Sequence, residues 1–134
     1  MKIDILFIHP NASKIIYQDL SERHSAIEPP IWAGMLANHC RNRNFNVEIL
    51  DCEVLNLDPE QSAKDIAATK PKIACYVVYG QQPSASSQNM EGAILSAKIL
   101  KNNNPEIKIL FVGGHIAALP KETLENKVVL GSAF

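Results

Sequence analysis

Four short apolar runs punctuate this chain, and each stops at a residue that cannot extend a buried strand. Ile3 to His9 ends at Pro10, Phe45 to Cys52 ends beyond Asp51, Ile73 to Tyr79 ends at Gly80, and Ile107 to Val112 ends at Gly113-Gly114. Their length, β-branched content and Pro or Gly stops read as strands rather than helices. Asp4 is the one charge inside the first run. A first run this apolar suits a strand covered on both faces, whereas Phe45 to Cys52 partly alternates. Segments with helical spacing lie between the runs. Ile31, Met35, Leu36, His39 and Cys40 recur on one helical face after Pro29-Pro30, where proline suits a first turn, and Asn44 falls where a left-handed terminating residue is expected. Asp58-Pro59-Glu60-Gln61 is a helix start, with Asp58 as cap, Pro59 in the first turn and Gln61 at the capping-box position; the helix runs to Thr69, before Pro71. Met90, Ala93, Ile94, Ala97 and Leu100 mark a further helix that ends at Asn102-Asn103-Asn104-Pro105. A short helix over Pro120 to Glu125 and a fifth strand over Val128 to Leu130 complete the pattern. Asn11 to Pro30 shows no firm period, with room for a short helix over Tyr17 to Arg23.

Strands alternating with helices predict an α/β fold. The expected architecture is a doubly wound, Rossmann-like, mainly parallel sheet of four to five strands with helices on both faces. Right-handed crossovers restrict the strand order, and the flavodoxin-like 2-1-3-4-5 is the first choice. At 134 residues the chain is one domain, large enough to bury roughly two-thirds of its unfolded surface. A net charge of −1 gives no basic face for nucleic acid. The apolar runs fall far short of the ~20 residues a membrane helix needs. The N-terminus lacks a signal-peptide cleavage pattern, and the chain reads as cytoplasmic. Cys40, Cys52 and Cys75 show no metal-ligand spacing and read as buried free thiols.

In such a sheet the loops at the carboxyl ends of the strands meet on one edge, where open α/β sheets bind ligands. Here they are His9-Pro10-Asn11, Asp51 onward, Gly80 to Ser86, and Gly113-Gly114-His115. The centre of the expected site is Val77 to Asn89, V-V-Y-G-Q-Q-P-S-A-S-S-Q-N, a strand running into a polar small-residue loop and then a helix. Ser84, Ser86, Gln81 and Gln82 offer neutral hydrogen-bonding groups. Gly113-Gly114 lets a large flat ligand approach the backbone, and the following helix adds free N–H donors. These features suit a bulky, mostly uncharged ligand with amides and one phosphate. Plainer readings stand beside them: Gly113-Gly114 as a tight turn, a serine among Ser84, Ser86 and Ser87 as a helix cap, His39 as packing, and Trp32 as core or rim rather than a stacking platform. His9 and His115 are lone histidines with either role open.

Several chemistries are excluded by absent motifs. There is no G-x-G-x-x-G after the first strand, no P-loop, no G-x-S-x-G elbow and no zinc-spaced Cys/His cluster. The place of a phospho-receiver's acidic pair holds Ile8-His9-Pro10. An FMN carrier would want a Ser/Thr-rich phosphate cradle after the first strand, which is missing.

The segments I-L-F-I-H-P-N, E-P-P-I-W-A-G-M-L-A, V-E-I-L-D, Y-G-Q-Q-P-S-A-S-S-Q-N-M and V-G-G-H-I-A-A-L-P-K-E-T-L together resemble the N-terminal cobalamin-binding domain of radical S-adenosylmethionine enzymes. The last two are the most specific. The resemblance implies cobalamin as cofactor, its nucleotide tail entering the Rossmann-like domain, with contacts from Gln82, Ser84, Ser86, Gly113, Gly114 and His115. With the neighbouring loop residues Asn11, Gly80 and Gln81, these are the candidate cofactor-binding residues. The D-x-H-x-x-G motif whose histidine ligates cobalt is absent, so no cobalt ligand and no catalytic residue is assigned. The C-x-x-x-C-x-x-C iron–sulfur motif is absent too. The chain is therefore expected to be a cofactor-binding module and part of a longer protein. The radical domain, with its iron–sulfur cluster and S-adenosylmethionine, would act in cis or in trans. The alternative is a flavodoxin-like regulatory or interaction domain with no cofactor.

Overall fold

A computed structural model describes residues 1–11, 29–79, 83–125 and 131–133. The strands are β1 (Ile5–His9), β2 (Val47–Asp51), β3 (Ile73–Val78), β4 (Lys108–Gly113) and β5 (Gly131–Ala133). The helices are α1 (Ile31–Arg41), α2 (Pro59–Thr69), α3 (Pro83–Asn103), α4 (Gly114–Ala118) and α5 (Pro120–Glu125). The five strands form one sheet in the order β2-β1-β3-β4-β5, every pairing parallel. This is the 2-1-3-4-5 order expected from the sequence.

Parallel register puts alternate residues on opposite faces. Leu6, Ala74 and Ile109 align across three strands, as do Ile8, Tyr76 and Phe111. These residues pack with Ala63 and Ile66 of α2, Met90, Ala93, Ala97 and Leu100 of α3, and Ile116 of α4. The other face carries Phe7, Val47, Cys75, Val77 and Val112, covered by Ala33 and Ala37 of α1. Helices on both faces are what right-handed crossovers require in this strand order. Inside the larger core the Tyr76 and Phe111 rings stack at 5.1 Å, and the Tyr76 hydroxyl shares a 2.9 Å hydrogen bond with Ser96 Oγ.

Local signals account for most element ends. Asp58 Oδ1 accepts the Gln61 N–H at 2.7 Å, capping α2, a contact worth about 1 kcal/mol. The Gln61 side chain donates forward to Asp65 instead of back to the cap, so the capping box is half formed. Lys70 closes α2 in the left-handed conformation, and Asn44 takes positive φ in the turn before β2, as expected. Asp4 accepts from the Asn46 N–H and pairs with Lys72 at the amino edge, joining the starts of β1, β2 and β3; these bonds hold its carboxyl below the usual range.

Three expectations are corrected. The inner face of α1 is Ala33 and Ala37 with Leu36 and Cys40 packed beside them as expected, while Ile31 and Met35 are exposed. Small residues let the helix lie close to the sheet, and Ile31 and Met35 turn outward. His39 does not pack but sits on the surface beside Arg43. α3 begins at Pro83, so Ser84 and Ser86 belong to its first turns and not to a loop. α4 was not anticipated, and the described fifth strand is Gly131–Ala133. The strand expected over Val128 to Leu130 and the helix over Tyr17 to Arg23 lie outside the described residues.

Two outcomes test this core. Tyr76→Phe leaves Ser96 without its partner and should cost about 1–2 kcal/mol by urea unfolding. The Tyr76→Phe/Ser96→Ala double variant should lose less than the two single losses added. Burial pushes the Cys52 thiol up to about 11 and Cys75 to about 12, from an ordinary 9.0. Both thiols hold their protons more tightly folded than unfolded. Their contribution is therefore complete below the ordinary thiol value and is lost as pH rises through the folded values. Unfolding free energy should fall above pH ~9, and with a shallower slope in a Cys52→Ala/Cys75→Ala variant.

Candidate functional site

The strand order reverses between β1 and β3, so their carboxyl ends open the crevice where such sheets take ligands. His9 and Asn11 stand at the exit of β1, and Tyr79 directly follows β3. Gly113 and Gly114 lie at the exit of β4.

The exits of β1 and β2 are fastened together. Register pairs His9 with Asp51, which brings residues just past Asp51 within reach of the His9 ring. His9 Nε2 lies 2.9 Å from Glu53 Oε2, both largely buried, and the ring N–H donates to the carboxylate. The Cys52 N–H donates to His9 O at 2.9 Å. Asn11 Nδ2 donates to Leu57 O at 3.3 Å. Asp51 Oδ1 accepts the N–H groups of Glu53 and Val54, closing the turn on itself. The two carboxylates of this edge are thus engaged within the protein. Beneath the crevice, a cavity of about 10 Å³ is lined by residues including Asn11, Cys52, Ser62, Tyr76 and Ser96. That is room for about one water.

At the other side, Gly113 pairs with Val78 in register. A β-carbon on Gly113 would stand 2.1 Å from the Val78 carbonyl oxygen and 2.8 Å from its carbon, and the backbone there has φ +157°. No side chain fits. Glycine is required at residue 113 by its contact with the neighbouring strand, whatever lies over the edge. Gly114 is exposed at the start of α4.

Of the residues expected in the site, Asn11, Gly113 and Gly114 are brought to this edge. Ser84 and Ser86 lie in the opening turns of α3, and His115 lies in α4. Gly80, Gln81 and Gln82 lie outside the described residues. Two pairs escaped the sequence reading. His9–Glu53 spans 44 positions and becomes visible only once β1 and β2 are aligned. Trp32 stacks on Tyr79 with ring centroids 4.8 Å apart and planes 25° from parallel. Half of Trp32 is exposed, so it belongs to the rim and not the core.

The chain matches the family model for the B12 binding domain over residues 22–134, and it belongs to that family. Searches of the curated proteins and of the solved structures gave no match. Cobalamin is accordingly the cofactor. The described edge fits it: cobalamin is bulky and rich in amides, and the Asp51 and Glu53 carboxylates nearby are engaged in hydrogen bonds within the protein. Among the described residues no helix is long and apolar enough to cross a membrane, and no group of His, Cys, Asp and Glu is arranged to hold a metal ion.

The two glycines should respond differently to substitution. Gly113→Ala is expected to lose about 2–4 kcal/mol in chemical denaturation, because backbone must move to admit the methyl group. Gly114→Ala should be neutral or slightly stabilising, as alanine is the better helix former.

Proposed function

We propose that this domain holds cobalamin for a radical S-adenosylmethionine enzyme, whose catalytic domain acts in cis or in trans. Membership of the B12-binding family carries the cofactor half of this reading. The radical half is supported by the sequence segments Y-G-Q-Q-P-S-A-S-S-Q-N-M and V-G-G-H-I-A-A-L-P-K-E-T-L. On this reading the domain is one part of a larger cytoplasmic assembly, and the iron–sulfur cluster and S-adenosylmethionine belong to the other part. When bound, the corrinoid supplies a cobalt centre that can carry a methyl group or serve another radical reaction.

The residues of this chain bind and orient. Gly80, Gln81, Gln82, Ser84 and Ser86, at and before the start of α3, are proposed to wall one side with hydroxyl and amide groups. Gly113, Gly114 and His115 form the facing side, where the bare backbone of Gly114 admits a broad ligand. Asn11, its amide nitrogen committed to Leu57, is proposed to position the β1 exit. The cavity beneath the crevice is sized for water, so the ligand lies across the sheet edge over it. No residue of the chain is assigned as a catalyst or as a cobalt ligand.

The test is retention of corrinoid. The purified chain is mixed with hydroxocobalamin and desalted, and its absorbance is recorded. Corrinoid bands that travel with the protein are expected; their complete loss would sink the reading in favour of a cofactor-free regulatory domain. Gly114→Leu and Ser86→Leu should each weaken retention by roughly tenfold, as expected when bulk displaces a well-fitted contact, with unchanged circular dichroism. Equal affinity in both variants would move the site elsewhere.

A further inference from the structure

The outward face of α1 is divided along its length. At the amino end it presents Ile31, Trp32 and Met35, which are 61%, 50% and 59% exposed. At the carboxyl end it presents exposed polar groups, Asn38 and the His39–Arg43 pair. A solvated helix face has no physical reason to be apolar in one half only. The apolar half is the end that meets the sheet's carboxyl edge, because Trp32 lies on Tyr79 and Tyr79 directly follows β3.

Trp32 has one ring face against Tyr79 and half its surface exposed. Tyr79 is in turn half-buried against the core under α1. The indole is therefore held at a fixed tilt by a partner that is itself anchored beside the exit of β3, and half of its surface stays open. A flat, rigid, apolar surface fixed in this way is suited to a planar conjugated group. Corrinoids offer two such groups, the macrocycle and the base of the nucleotide tail. The macrocycle's faces are crowded by methyl and amide substituents. The base is flat on both sides and comparable in size to an indole.

We propose that Trp32, backed by Tyr79, is a stacking platform for the heteroaromatic base of the corrinoid's tail. This rests on the cobalamin reading above and assigns a contact that neither the loops nor the glycines supply. Stacking of a base on an aromatic side chain is worth about 1–3 kcal/mol by alanine substitution.

Equilibrium dialysis against two probes tests the assignment: hydroxocobalamin, and cobinamide, which has the same ring and no base. Trp32→Ala should weaken hydroxocobalamin binding by on the order of tenfold and leave cobinamide binding unchanged. Trp32→Phe should recover most of the loss. Trp32→Leu, which keeps apolar bulk without a flat ring, should behave as the alanine variant and serves in its place if that variant does not fold. Unaltered hydroxocobalamin affinity in Trp32→Ala, or an equal loss for both probes, overturns the platform. A wild-type chain that binds neither probe instead removes the cobalamin reading itself, so the two failures are distinguishable.

Discussion

The carbonyl oxygen of Val78 occupies the space a side chain at residue 113 would need. Much of the sheet's carboxyl edge follows from that contact. Because β4 presses its last residue against β3, the two strands leave the sheet side by side, and α4 begins at once with Gly114. Ile116 then returns into the core, its Cδ1 3.2 Å from where a Gly113 β-carbon would lie. A larger residue at 113 would separate the strand ends and lift α4 from the core. The glycine pair thus has two separate duties. Gly113 serves the sheet, and Gly114 leaves bare backbone at the rim.

The opposite side of the crevice is organised by hydrogen bonds. His9, Asn11 and Asp51 all reach the turn between β2 and α2, and the carboxylates of Asp51 and Glu53 are consumed there. An acidic rim would disfavour a ligand carrying phosphate, through unscreened repulsion near a low-dielectric surface. Internal hydrogen bonds engage both carboxylates within the protein and lend the turn its rigidity. An edge whose carboxylates are held in internal hydrogen bonds suits a ligand recognised by shape and neutral donors.

Periodicity and breakers made the framework legible. The apolar runs marked four strands, Asp58-Pro59 marked a helix start, and Met90, Ala93, Ala97 and Leu100 marked the inner face of α3. The misread parts share a cause: hydrophobicity alone does not say which face is inside. Ile31 and Met35 outrank Ala33 and Ala37 on any apolar scale, yet the alanines are buried because close approach of α1 to the sheet demands small side chains. α4 was missed because G-H-I-A-A is too short to show a period. Ser84 and Ser86 were placed in a loop because serines compete with the helical backbone; after Pro83 they sit in the first turns, where that competition costs least. His9–Glu53 and Trp32–Tyr79 are contacts between distant segments and carry no local signal.

The rotation of α1 connects packing to recognition. With Ala33 and Ala37 innermost, this helix leaves Ile31, Trp32 and Met35 outside, and forgoes part of the roughly 1.5–3 kcal/mol that complete burial of each would bring. That cost could be avoided by polar residues on the outer face, and Asn38, His39 and Arg43 show that the carboxyl half does so. Only the half against the sheet's ligand edge retains Ile31, Trp32 and Met35. The same small-residue packing that seats the helix on β1 therefore leaves an aromatic surface beside Tyr79, at the exit of β3. Fold and site are not independent choices in this chain: one helix orientation satisfies the core and furnishes the rim.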